Sequence, residues 1–271
     1  MKLFRRLFAE KILRFYEGTN NGIRILLKFP FLSWQITEET FTNKPKTRTF
    51  IGIIMQLFTI IGEFARRFLY FLLLIYIPFR LISLIRPLVG ANQELAIIFM
   101  FTMLSIICGS LANTTLFTMG DRDYLMIRIM LISPYLNFLG KLIYKIITDF
   151  IFYFILLLLF RVSLYNSLML SLIVIFTRPI GEMFAVLAFD RLRSIYENRS
   201  LFNGTVMAIC VILAYGLPLI NRKVSSNWLF ITHPAVVIIF FIAGAAAMYF
   251  LWWYKYYRVI IREAMHMKHE N

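Results

Sequence analysis

Apolar residues run along this chain in long unbroken blocks separated by short polar stretches. Six blocks fall at residues 68–85, 95–118, 142–160, 168–189, 205–220 and 235–254. A bilayer core is about 30 Å thick, so a helical crossing needs about 20 apolar residues, and these blocks have that length. Backbone amides find no water in lipid, so only helices or closed barrels cross it. The blocks are continuous and do not alternate, which predicts helices rather than barrel strands. The first block is the weakest, because Pro78 and Arg80 interrupt it. A further apolar run at 50–64 ends in Glu63, Arg66 and Arg67 and reads as an interfacial lead-in over 50–67.

The expected fold is therefore an all-α polytopic membrane protein. It has a cytoplasmic or interfacial helical region over 1–49, the lead-in, a six-helix membrane domain over 68–254 and a tail over 255–271. The start, MKLFRRLFAEKILRFYEG, sets Leu3, Leu7, Phe8, Ile12 and Phe15 near one helical face, with Arg5, Arg6, Lys11 and Arg14 among the rest. Charges recur too closely there for the apolar core of a signal peptide. The pattern fits a helix lying on anionic lipid, or equally one packed on the rest of the protein.

Composition agrees with the pattern. Hydrophobic residues make up 60% and charged residues 16%, with 28 Phe, and the mean hydropathy is +0.74. The net charge of +15 adds an orientation. Residues 1–67 carry twelve of the 29 basic residues, and the segments 120–145, 190–204 and 255–271 carry four, three and four. Basic residues gather on the cytoplasmic side of membrane proteins, so both termini are expected in the cytoplasm of a multi-pass cell-membrane protein. Because the charges flank apolar helices, they indicate topology rather than nucleic-acid binding. Trp252, Trp253, Tyr254, Tyr256 and Tyr257, with Lys255 and Arg258, form an interfacial belt at the end of the sixth block. Small residues Ala243–Ala247, around Gly244, and the pair Ser105 and Gly109 are helix-packing signals.

Catalytic constellations are absent from the sequence. His266 and His269 lie on the tail without a convincing acid or thiol partner, and His233 lies at the opposite side. Cys108 and Cys210 fall in separate apolar blocks and read as small buried hydrophobes. No phosphate-binding loop occurs, so no cofactor is expected on this chain. The remaining chemical signal is intramembrane charge. Arg178 and Glu182 are four residues apart, so they share a helix face, and Pro179 between them bends the helix. A central charge costs about 2.5–3.5 kcal/mol to insert, which pairing or a polar groove reduces. The two readings are a conduit-lining pair and a structural ion pair locking this helix to a neighbour. Asp149 follows Lys145 by four residues, which suggests a local pair.

Residues 119–145 break the pattern. Too charged to cross lipid, they still alternate polar and apolar positions at helical spacing, as an amphipathic helix in the cytoplasm does. Asp121, Arg122 and Asp123 open the segment, an apolar helix follows over 124–132, Ser133 and Pro134 break it, and Lys141 and Lys145 lead into the third block. Six spans with this segment between the second and third resemble the permease subunit of bacterial ABC exporters whose chains begin with an interfacial helix, including peptide, bacteriocin and polysaccharide exporters. The resemblance covers the whole chain in topology and about 25 residues in motif.

It implies that Asp121, Arg122, Asp123, Tyr124, Ile127, Arg128, Met130 and Leu131 form a coupling helix that docks on a separate ATP-binding cassette subunit. It also implies ATP and magnesium on that partner, pairing with a second copy or a related permease, and outward transport of a peptide-like or amphipathic substrate. This chain would then have transport ATPase activity only as part of the complex. The alternatives are a secondary carrier or channel, or a non-catalytic membrane assembly factor. The chain departs from the resemblance in its long N-terminal region of 67 residues.

Overall fold

The computed structural model describes residues 15–16, 18–24, 45–85, 93–115, 133–191, 199–220 and 228–254. Two compact units divide at Leu69 and Tyr70. In the first, a short helix over 18–24 packs against the turn at Gly52. Ile23 and Ile51 are buried. A side chain at Gly52 would strike the Phe15 ring and the Thr19 hydroxyl, and one at Gly22 would strike Met55. Glycine is what permits this approach. Phe50, Ile53, Leu57, Phe58, Ile60 and Ile61 are exposed apolar residues of the same unit.

The chain is all helical among the described residues, with six helices long and apolar enough to cross a membrane. We label them in order. Helix α1 comprises Pro45–Phe71, a π-turn over Leu72–Tyr76 and Ile77–Ile85. Helix α2 is Gln93–Ala112, with a π-segment at Thr102–Cys108. Helices α3 to α6 are Pro134–Leu159, Leu164–Arg191, Arg199–Ile220 and Pro234–Trp253. The expected lead-in over 50–67 and first span over 68–85 are thus one helix without a break at 64–68. Glu63 and Arg67 face each other one turn apart at 3.8 Å, an arrangement that supports a helix instead of ending it.

Two other boundaries differ from expectation for visible reasons. Helix α2 stops at Ala112 rather than at 118, and Asn113 leaves helical geometry with φ −107° and ψ 59°. Helix α3 begins at Pro134, eight residues before the expected start at 142. Proline suits a first helical position because its missing N–H has no partner there anyway. The turn between α3 and α4 closes with Val162 donating to the Leu157 carbonyl and Arg161 to that of Leu158, both at 3.0 Å. This is the Schellman arrangement, and Arg161 occupies its left-handed position at φ 63°.

Within the second unit, α2 and α4 form the centre. In the most apolar stretch of each, 67% and 61% of residues are buried, against 17–28% for the other four. The outer helices expose apolar faces, such as Ile209 and Ile212 on α5 and Ile238 and Ile242 on α6, suited to lipid. Helix α6 buries Val237, Gly244, Ala247 and Leu251, a seven-residue stripe that lies along α4. Of the small residues expected to pack, Gly244 and Ala247 face the bundle while Ala243, Ala245 and Ala246 are exposed. A Cβ at Gly244 would sit 2.8 Å from the Phe176 carbonyl oxygen, and one at Gly181 would strike the Ser110 carbonyl. Both contacts bring helix backbones together, as small residues do in lipid. Rings complete the core: Phe71 stacks on Phe160 at 4.5 Å, and Phe101 meets Tyr153 edge-on at 5.3 Å.

Candidate functional site

The end of α2 is where the bundle concentrates charge. The last carbonyls of a helix lack intrahelical donors, and they attract cations. Here the orphan carbonyl of Gly109 accepts from Arg178 Nη1 on α4. The guanidinium turns its other nitrogens on α3: Nε lies 2.9 Å and Nη2 2.8 Å from Asp149 Oδ2. Both side chains are 4% exposed, so this ion pair is shielded on every side. One cation thereby joins α2, α3 and α4.

Two further side chains hold the residues beyond Ala112. Glu182, one turn along α4 from Arg178, accepts the backbone N–H of Thr115. Lys145 on α3 donates to the Asn113 carbonyl and lies 3.3 Å from its Oδ1. Pro179 lies between the two charged residues of α4 and is buried. Its ring removes a donor from the Ile175 carbonyl, as expected for proline inside a helix. Gly181 sets the separation, because only a residue without Cβ lets α4 lie against the Ser110 backbone.

This arrangement adds to the pairing read from spacing. Arg178 forms an ion pair with Asp149 on the neighbouring helix. The Arg178–Asp149 pair joins α4 to α3. Sequence reasoning missed Asp149 as the partner because Lys145, one turn away, offered a local explanation. The signal was there: Asp149 lies inside an apolar block, and a buried carboxylate requires a cation or several donors. The eight residues expected to couple, Asp121, Arg122, Asp123, Tyr124, Ile127, Arg128, Met130 and Leu131, lie outside the described residues. The tail residues His266 and His269 do so as well.

The opposite end of α2 is also tied by a charge. Glu94, in its first turn, accepts from the Ser163 N–H at 2.9 Å and from Asn166 Nδ2 at 2.7 Å. A carboxylate at the helix start and cations at its end both suit the helix dipole. His233 caps α6, its Nδ1 accepting from the Ala235 N–H at 3.3 Å, which gives it a structural role. Among the described residues no three His, Cys, Asp or Glu gather as a metal site.

The fold and site define a polytopic helical membrane protein with a buried charge cluster joining three of its helices. Comparison with protein-family models, curated proteins and solved structures finds no match.

Proposed function

We propose that this chain is a permease subunit of an ATP-driven exporter, with residues 121–132 coupling it to a separate ATPase subunit. One observation supports the reading above the rest. Both flanks of that segment are held by charged groups: Asn113 and Thr115 on one side by Lys145 and Glu182, and α3 on the other by Arg178 through Asp149. A segment rooted this firmly transmits force to the bundle, and a partner that pushes on it acts on three helices at once. The excess of basic residues near the termini and in the 120–145 segment supports a cytoplasmic side for that root. ATP and magnesium belong to the partner on this reading. Assembly with a second copy or a related permease supplies the further helices a conduit needs, and the substrate is peptide-like or amphipathic.

In the segment, Tyr124, Ile127, Met130 and Leu131 recur at three- to four-residue spacing and supply the apolar anchors. Asp121, Arg122, Asp123 and Arg128 supply the polar rim. Co-purification of an ATPase with the wild-type chain and with a Tyr124→Ala/Ile127→Ala variant tests this. Each lost anchor is expected to cost about 1 kcal/mol or more in docking while the spans still insert. Full retention of the ATPase by the double variant overturns the assignment. The buried carboxylates Asp149 and Glu182 also suit an ion-driven carrier. Transport by the purified chain without any ATPase would favour that second reading.

A further inference from the structure

We infer that Arg80 and Arg161 hold the phosphate of an anionic lipid where α1 meets the turn between α3 and α4.

That turn marks one end of the bundle. Phe160, just before it, meets the Tyr76 ring of α1 at 5.1 Å. Glu94, at the start of α2, accepts from Ser163 and Asn166. Tyr165 donates to the Thr232 carbonyl, just before α6, at 3.3 Å. Cations outnumber acids there. Counted along the sequence, residues 77–94, 160–166 and 220–234 hold Arg80, Arg86, Arg161, Arg222 and Lys223 against Glu94 alone. Among the described residues, neither Arg80 nor Arg161 forms an ion pair. Fixed cations gathered in one place without acids attract a mobile anion.

Both arginines are exposed, and each is held by its own device. Arg80 donates through Nε and Nη2 to the Tyr76 hydroxyl, at 3.1 and 2.9 Å, and its Cζ lies 5.3 Å from the ring centre. That leaves the Nη1–Nη2 edge of the guanidinium for a second acceptor. A phosphate accepts from such a fork through two oxygens. Arg161 is fixed through its backbone, at φ 63°, in a position where glycine is the usual residue. An arginine standing where the backbone favours glycine points to a use for its side chain. Rings place the two at one level of the bundle: Arg80 lies over Tyr76, Tyr76 meets Phe160, and Arg161 follows Phe160 in the chain.

The apolar surroundings select the kind of anion. Ile77, Leu81 and Leu84 flank Arg80 along α1, and Leu158, Leu159 and Leu164 flank Arg161, all of them exposed. A small anion in water gains nothing from such surfaces. A lipid brings a phosphate for the arginines and acyl chains for the leucines. Arginine stems lie along apolar surface while their charged heads reach the headgroup layer.

The test uses the full chain purified in neutral-detergent micelles, with the unfolding temperature followed as phosphatidylglycerol is added. A ligand bound by the folded state alone raises that temperature. The wild type is expected to show a saturable rise, and phosphatidylcholine, whose phosphate carries its own cation, is expected to give much less. The Arg80→Gln/Arg161→Gly variant is expected to need roughly tenfold more phosphatidylglycerol for the same rise. Arg66→Gln, which removes an exposed cation from the other unit, is expected to leave the midpoint of the titration unchanged. No saturable rise in the wild type overturns the inference, as does an unchanged midpoint in the double variant. An equal shift in Arg66→Gln, or an equal rise with phosphatidylcholine, overturns it too. Inorganic phosphate that reproduces the rise would make the occupant a free anion instead of a lipid, and likewise overturns it. Should Arg80→Gln fail to yield folded protein, an unchanged midpoint in Arg161→Gly alone overturns it, since glycine suits that backbone. No ATPase or transport enters the measurement, so the lipid site and the exporter reading stand or fall separately.

Discussion

The Tyr215 hydroxyl of α5 donates to the Leu74 carbonyl of α1 across 2.6 Å. Pro78 is the reason that carbonyl needs a donor: four residues along the helix, it has no N–H to give. The π-turn at Leu72–Tyr76 lies immediately before the proline. Local sequence thus creates a defect in one helix, and a side chain of another repairs it.

The first prediction follows from that repair. Tyr215→Phe keeps the ring and removes the donor, and is expected to cost about 1–3 kcal/mol for the carbonyl left without it. In a Pro78→Ala background, where residue 78 again supplies an N–H, the same change is expected to cost much less. Unfolding of the four proteins in mixed micelles gives the coupling as a double-mutant cycle. Equal costs in both backgrounds would mean that the proline is not what makes Tyr215 necessary.

A second prediction concerns the identity of Arg178's partner. Arg178→Ala leaves Asp149 buried without its cation and is expected to cost about 3–5 kcal/mol, seen as lost membrane yield. Arg178→Lys is expected to recover only part, since an ammonium lacks the fork that reaches Asp149 and Gly109 together. The coupling between substitutions at 178 and 149 is expected to exceed that between 178 and 182. The reverse order would restore the pairing read from sequence spacing.

That contrast shows where sequence reading succeeded and where it stopped. The six helices were legible because lipid-length apolar runs have few other uses. Arg178 and Glu182 were legible as important, since charge is costly in such runs. Their partners were not, because a sequence displays spacing along one helix while Asp149 approaches Arg178 from another. The end of α2 failed for a related reason. Asn113, Thr114 and Thr115 did not interrupt the block read as 95–118, and the end of the helix is instead capped by Arg178, 69 residues away, which donates to the Gly109 carbonyl. The early start of α3 is readable in the sequence, because Ser133 and Pro134 form a helix-opening pair as well as a break.

A third prediction tests the turn between α3 and α4. Arg161 holds φ 63°, a conformation costing an L-residue other than glycine about 1–2 kcal/mol. Its side chain is exposed, so little packing is lost on truncation. Arg161→Gly is therefore expected to raise stability by about 1 kcal/mol, offset in part by the greater freedom of glycine when unfolded. A thermal melt of the purified protein reads the change. Destabilisation would mean that the arginine side chain makes a contact worth more than the backbone strain.

The last prediction separates glycines that position helices from one that does not. Gly181 and Gly244 both lie inside helices, where glycine is intrinsically unfavourable, so local propensity alone favours replacing them with alanine. Packing opposes it. A methyl at Gly181 would strike the Ser110 backbone, and one at Gly244 would lie 2.8 Å from the Phe176 carbonyl oxygen and 3.1 Å from its Cα. Backbone atoms cannot rotate aside, so α4 would have to move from α2 in the first case and α6 from α4 in the second. Overpacking of this kind costs about 1–3 kcal/mol, more than propensity returns. Gly216 on α5 provides the internal comparison, for nothing lies within 4 Å of a Cβ built there. Gly216→Ala is expected to be neutral or to stabilise by about 0.5–1 kcal/mol. Unfolding measurements on the three single variants decide the matter. Gly181→Ala is expected in addition to disturb the hold of Glu182 on Thr115, visible as faster amide exchange there, whereas Gly244→Ala leaves that amide unchanged. A Gly181→Ala protein as stable as wild type would show that α4 does not lie against α2 as closely as Gly181 and Ser110 require.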